Sequence, residues 1–190
     1  MKLDTWPNLV AMFFSQAEKY GDKPFLWRKQ DGVYVAMSWR QAADEVRGLA
    51  RALVAYGLED GDRVVLLSEN APRWGVADFA IMAAGGVSVP AYVTNTANDH
   101  SHILTDSGAT MAVVSTAALA APLLVAAKDA PDLRRVIAIE AVSESVLKSV
   151  PESVTLTRWD DALAEGAKAD GFDPESKAAG IAQNALACLI

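Results

Sequence analysis

The stretch Asp60 to Tyr92, "DGDRVVLLSENAPRWGVADFAIMAAGGVSVPAY", decides the fold. It opens on a turn, Asp60-Gly61-Asp62, and runs at once into Val64 to Leu67, a short segment without a polar position. A strand that is apolar on both sides has to be covered on both sides. Asn70 then stands where a helix cap belongs, and Pro72 falls in the first helical turn, where its missing N–H costs nothing. Gly85-Gly86 ends that helix, and "VSVPAY" follows as a second buried strand. Strand, helix, strand in this order is the unit of a parallel sheet.

The same rhythm continues downstream. Thr96 to Asp99 reads as a capping-box start for a helix over "DHSHILTDSG". "MAVVS" is a strand, Ser115 or Thr116 caps the helix of "ALAAPLLVAAKDA", and "RRVIAIE" is a strand again. A repeat of about 25 residues is that of βα units and not of a solenoid. Upstream, Thr5 to Tyr20 is predicted as a helix with Leu9, Met12, Phe13 and Ala17 on one face, stopped by Gly21. "PFLWRKQ" and "VYVAMSW" are predicted to form a hairpin turning at Asp31-Gly32. Ser38 and Gln41 have capping-box spacing, and their helix should carry Val46, Leu49, Ala50 and Leu53 inward and end at Gly57. Ser143 to Ser153 is predicted as a loop with a helical turn, "VTLTRW" as a strand and "DDALAEGAKADG" as a helix. "FDPESKAAG" reads as polar and irregular, and "ALACLI", residues 185–190, as a strand or buried helix. The fold class is therefore α/β, a mostly parallel sheet with helices on both faces, preceded by a helix and a β-hairpin. Residues 1–190 are treated as one such unit.

Composition excludes several classes. Apolar residues make up 52% and charged residues 22% of the 190, ordinary for a globular domain. With 17 Lys and Arg against 24 Asp and Glu the net charge is −7, and the cations are dispersed. That argues against a nucleic-acid partner, whose affinity rests on cationic contacts to phosphate, and against an anionic membrane surface. Gly108 to Ala127 carries no charge and is long enough to span a bilayer, but Pro122 interrupts it and Ala, Ser and Thr dominate, so no transmembrane segment is expected. Asp4 and Pro7 spoil a signal peptide. The single cysteine, Cys188, can form no internal disulfide, which suits a reducing cytoplasm.

Motifs with chemistry of their own are absent. There is no G-x-G-x-x-G after a strand, no G-x-x-x-x-G-K-[ST] and no G-x-S-x-G. His100 and His102 are two apart, which on a helix points them away from each other, and one remote thiol completes no zinc set. Both are expected to serve in capping or surface hydrogen bonding, and no metal site is expected. Asp60 and Asp62 read as turn chemistry, and the five tryptophans as core or subunit contacts.

The ordered blocks nonetheless resemble a known family. Gly57, then Gly61-Asp62-Arg63-Val64, Asn70, Trp74, Gly85-Gly86 and Pro90 stand where the AMP-forming acyl-CoA synthetases carry the same residues. These belong to the adenylate-forming superfamily, with luciferases and peptide-synthetase adenylation domains. "AYVTNTANDHSHILTDSGA" resembles the next block, and Tyr92 followed by Thr94 is similar to the long-chain fatty acid branch. The likeness is clearest from Ser38 to Ser115 and poor from Ser143 to Gly180.

The resemblance implies an acid–thiol ligase using ATP, Mg²⁺ and CoA: a fatty acid carboxylate attacks the α-phosphate, pyrophosphate leaves, and the CoA sulfur takes the acyl group. It also implies that "ALACLI" precedes a Ser/Thr/Gly-rich phosphate loop, so the catalytic groups are expected beyond Ile190, with no catalytic residue here, no ligand bound to this piece and no activity of its own. The parent enzyme would be cytoplasmic, with peripheral attachment to the membrane left open. Ligands of such sheets sit outside the carboxyl ends of strands, which makes the loop after "VSVPAY", with Thr94, Asn95 and Thr96, the expected ligand-facing edge. Two other readings stand beside this one: a stand-alone nucleotide- or CoA-binding module, and a non-catalytic interaction domain that self-associates through an uncovered edge.

Overall fold

The computed structural model describes residues 5–190; Asp4, used above against a signal peptide, lies outside them. Helix α1 spans Leu9–Tyr20, with the Asn8 side chain accepting from the Ala11 N–H. The prediction placed its start four residues early. It also put Leu9 inward, whereas Leu9 is 56% exposed and the buried face is Val10, Phe13, Phe14 and Ala17. Those four keep the i, i+3, i+4, i+7 spacing of one helical stripe, which Leu9 does not share.

Strands β1 (Pro24–Gln30) and β2 (Val33–Ser38) form the antiparallel hairpin, turning at Asp31-Gly32, both with positive φ. Ser38 and Gln41 cap α2 (Trp39–Ala55) reciprocally, as their spacing predicts.

Five parallel strands follow: β3 (Arg63–Leu67), β4 (Val87–Ala91), β5 (Met111–Val114), β6 (Arg135–Ala138) and β7 (Thr155–Arg158). They lie in the order β4-β3-β5-β6-β7. The connecting helices are α3 (Pro72–Ala83), α4 (Ala97–Ser107), α5 (Ala117–Ala126) and the short α6 (Glu144–Leu147), followed after β7 by α7 (Trp159–Gly166). Asn70 does not cap α3: the cap position is Ala71, without a side-chain bond, and Pro72 opens the helix. Residues 174–180, expected to be irregular, form α8 (Pro174–Gly180), because Asp173 caps the Glu175 N–H and Pro174 suits the first turn.

Alternation along the strands divides the core in two. Val64, Leu66, Met111, Val113 and Ile137 face α1, α2, α3 and α7, while Val65, Leu67, Ala112, Val114, Val136 and Ala138 face α4 and α5. Every one of these side chains is essentially dry. That is why the strands read as unbroken apolar runs. Among the described residues no helix is long and apolar enough to cross a membrane.

Candidate functional site

The sheet order creates a crevice. β3 connects through α3 to β4 on one side, and β4 crosses back through α4 to β5 on the other. β3 is followed by α3 toward β4 and β5 by α5 toward β6 on the other side, so the loops after β3 and β5 part and expose a gap at their carboxyl ends. The Ser115 N–H donates to Leu67 O at 3.0 Å, and the Glu140 N–H donates to Ser115 O at 2.9 Å, which ties the loops after three strands into one rim. Inside it the Ser115 hydroxyl donates to the Glu69 carboxylate, and the Ser68 hydroxyl donates to Glu69 O at 2.8 Å.

The gap has a volume of about 380 Å³ and is roofed by the hairpin through Arg28, Val35 and Met37. Arg73, at the start of α3, pairs with Glu45 at 3.4 Å and Asp160 at 3.2 Å and lies over the Trp159 ring. The Trp159 indole N–H donates to Glu45 at 3.2 Å. Arg28 donates to the neutral Gln30 amide and keeps its charge, while Arg73 is paired with two carboxylates, so three carboxylates face two guanidinium groups on the rim. Glu45, Glu69 and Glu140 outnumber Arg28 and Arg73, and the crevice suits hydroxyl or amine donors better than phosphate. Sequence reading missed Glu69, Arg73 and Glu140 here. The available signal was the polar residue within two positions of the ends of β3 and β6, Glu69 and Glu140; Arg73 had none.

The expected ligand-facing loop lies at the same carboxyl edge, beyond β4. Tyr92 and Val93 are exposed, and the Asn95 N–H closes a turn onto Tyr92 O at 3.1 Å. Thr96 caps α4: its hydroxyl and N–H each donate to Asp99 Oδ2 at 2.8 Å. Those bonds hold the Asp99 carboxyl below its ordinary range. Thr96 is thus occupied in capping, which leaves Thr94 and Asn95 as the freer polar groups of the loop.

Segment 185–190 meets the side of β4 near the amino end of that strand. The Ser88 N–H donates to Ala187 O at 3.0 Å and the Leu189 N–H to Ser88 O at 2.9 Å, a single parallel bridge on the outer edge of β4. The strand expected over "ALACLI" is no more than that bridge, and Leu186, Leu189 and Ile190 are exposed instead of buried. Cys188 is half-buried. Burial and then the charge of Asp78 push its thiol pKa up, so it stays protonated and is a poor nucleophile.

His100 departs from its expected surface role. It is 1% exposed, one turn before Leu104 on the inner face of α4, and neither ring nitrogen has a hydrogen-bond partner. Burial lowers its pKa, so the ring is neutral. Asp60 and Asp62 do serve the turn before β3: Asp62 accepts from the Glu59 N–H at 3.1 Å, and Asp60 pairs with Lys177. Of the tryptophans, Trp159 and Trp39 join the core, but Trp27 is 55% exposed on the hairpin.

A doubly wound parallel sheet with its crevice at the strand carboxyl ends defines a class of ligand-binding α/β domains. Within that class the family model described as AMP-binding enzyme matches residues 13–190, and the chain belongs to that family. It is similar to the long-chain-fatty-acid–CoA ligase FadD15 of Mycobacterium tuberculosis, 32% identical over 146 residues, covering 77% of this chain and 24% of that ligase. The long-chain-fatty-acid–CoA ligase heimdall of Drosophila melanogaster is 28% identical over 151 residues, covering 76% of this chain and 22% of the other. The chain thus spans about a quarter of the length of these curated relatives.

Among solved structures, the adenylation domain of a carboxylate reductase from Mycobacterium chelonae superimposes with a TM-score of 0.75 at 21% identity, over 87% of this chain and 30% of that one. The anthranilate CoA ligase AuaEII, solved with anthranoyl-AMP, gives 0.69 at 22% identity over 87% and 30%. Both likenesses bear on the fold.

Proposed function

We propose that this chain is the first α/β unit of an ATP-dependent, AMP-forming ligase that joins a long-chain fatty acid to CoA in the cytoplasm. The carrying observation is that one family match runs through residues 13–190 while FadD15, at 32% identity over 77% of the chain, is by name a long-chain fatty acid ligase.

The chain's own residues do not fit the phosphates of ATP or Mg²⁺. Among the described residues no group of three or more His, Cys, Asp or Glu could hold a metal ion, and no glycine-rich loop follows a strand. What these residues do is build the rigid carboxyl edge against which ligands lie, with the loop of Thr94, Asn95 and Thr96 as the face turned to them. Its position beyond the carboxyl end of β4 supports that reading.

The test is acyl-CoA formation by the complete gene product with ATP, Mg²⁺, CoA and fatty acids of graded length. AMP and pyrophosphate release with long-chain acids is expected, and none from the 190-residue chain alone. A folded complete product that releases no AMP with any fatty acid overturns the assignment. Thr94→Ala and Asn95→Ala, which spare the Thr96 cap, are expected to raise KM without changing the melting temperature. An unchanged KM in both removes the loop from the ligand face.

A further inference from the structure

We propose that Asp31 is a site of spontaneous backbone isomerisation, an Asp-Gly step that the fold leaves free to cyclise and whose product unmakes the hairpin over the crevice. The chain has three Asp-Gly steps: Asp31-Gly32, Asp60-Gly61 and Asp170-Gly171. In each, the glycine backbone nitrogen can attack the preceding side-chain carboxyl in its acid form, with no Cβ on the glycine to hinder it. An N–Cγ bond forms, the Cγ–OH bond breaks, and the hydroxyl leaves with the amide proton as water. The five-membered imide then takes up one water. Opening at Cγ restores aspartate. Opening at the original peptide carbonyl routes the backbone through Cβ and Cγ and leaves the α-carboxyl free. The net change in mass is zero, and water is the only co-reactant.

Hydrogen bonding separates the three steps. The Gly61 N–H donates to Gly85 O at 2.8 Å, and both Asp60 carboxylate oxygens accept from Lys177 Nζ at 2.5 Å, so both reacting groups are tied down. At Asp31-Gly32 neither the carboxylate nor the glycine N–H bonds to any described residue. Among the described residues Asp31 is also the one non-glycine with a positive φ, +49°. A left-handed backbone is disfavoured where a Cβ is present, so rotation out of the turn toward attack meets less resistance. Every residue from Trp27 to Val35 is exposed, and a two-stranded ladder is marginal by itself. Asp170-Gly171, in the loop between α7 and α8, has the same two groups unbonded.

The added backbone atom has its effect at Asp31. A two-residue loop fixes the pairing of Gln30 with Val33 and of Arg28 with Val35. Lengthening the chain between Gln30 and Val33 upsets that pairing, and with it the roof that Arg28, Val35 and Met37 make over the crevice. The loop at Asp170 joins two helices and sets no strand register.

The experiment is incubation of the 190-residue chain in heavy-oxygen water, then tryptic digestion in ordinary water and mass spectrometry. Each passage through the imide leaves one heavy oxygen in the peptide, whichever way the ring opens. The peptide Gln30–Arg40 has Asp31 as its only aspartate. Its label is expected to accumulate at least about ten-fold faster than that of Ala52–Arg63, the worth of one well-made hydrogen bond. Ala169–Lys177 should follow the faster rate, and in urea strong enough to unfold the chain all three rates should converge. The separated isoaspartyl form should lose hydrogen-exchange protection in β1 and β2 and keep it in β3 and β5. Equal rates in Gln30–Arg40 and Ala52–Arg63 of the folded chain overturn the proposal. So does a difference that persists in urea, which would place its cause in the local sequence. Unchanged protection in β1 and β2 overturns the effect on the hairpin. Asp31→Glu, which would need a six-membered ring, should take up no label in that peptide; label there means that the oxygen enters elsewhere and overturns the site. If that variant fails to fold, the comparison of folded and urea-unfolded chain decides alone.

Discussion

Gly166→Ala tests how α7 is held. α2 and α7 cross so closely that a Cβ placed on Gly166 would lie 1.9 Å from Gly48 O, 2.9 Å from Gly48 C and 3.0 Å from Ala52 N. All three are backbone atoms of α2, which no rotamer change can move. Carbon and oxygen approach to about 3.3 Å at closest, so the helices must part by roughly 1.4 Å. A gap of that size forfeits more than about half of the dispersion energy of the contacts across it. Those contacts involve the buried Trp159 and Ala162 on α7 and the fully buried face of α2. Overpacking of this kind costs about 3 kcal/mol, at the high end of its range, and the better helix propensity of Ala returns at most about 1. The expected net loss is about 2–3 kcal/mol, read from the urea midpoint at constant m-value by far-UV circular dichroism. Gly48→Ala is the matched control. Its Cβ would meet the Leu163 Cδ2 at 3.2 Å, the far end of a half-buried side chain that can give way. Gly48→Ala is therefore expected within about 0.5 kcal/mol of wild type, with Ala's mid-helix propensity offsetting the crowding. A Gly166→Ala midpoint equal to wild type, or a Gly48→Ala loss equal to that of Gly166→Ala, refutes the reasoning.

Two titrating side chains give opposite pH signatures. His100 has a folded pKa below its ordinary 6.5, so the unfolded chain binds the proton more readily and stability falls as pH drops below about 6.5. His100→Phe should flatten that limb in thermal melts taken between pH 7.5 and 5; an unchanged slope would place the acid sensitivity elsewhere. Asp78 runs the other way: burial raises its carboxyl pKa and the Ser88 hydroxyl brings it only part of the way back. Its contribution is full below the ordinary carboxyl pKa of 3.8 and is lost as pH rises through the raised folded value. Asp78→Asn should therefore raise the melting temperature at pH 7 and gain less near pH 4, and a lower melting temperature at pH 7 would show that the carboxylate is satisfied as it stands.

Much of this fold is written in local chemistry. Val64 to Leu67 and Met111 to Val114 show unbroken burial because each faces two helical layers. Ser38 with Gln41, Thr96 with Asp99 and the Asp31-Gly32 turn involve partners three residues apart or fewer, so spacing alone reveals them. The family likeness carried by Gly61 to Pro90 is equally local, and the match over residues 13–190 agrees with it. The misplacements have physical causes too. Leu9 is apolar but off the buried stripe, and Asn70 is a good cap residue one position too early, because Pro72 sets where α3 begins. The candidate site was less legible: only the loop at Thr94 to Thr96 was anticipated, from the general rule about strand ends.

What the sequence determined by itself is the class of the elements from α1 to α7, because propensity, capping and alternation act over a few residues. What only the tertiary structure decided is adjacency. Ser115 reaches Glu69 across 46 positions, and Asn8 reaches Ala178 across 170, only because β5 crosses to the far side of β3 and α8 returns to α1. Gly166 touches Gly48 for the same reason. Strand order depends on which connection buries the most apolar surface over the whole sheet, and no short stretch of sequence contains that sum.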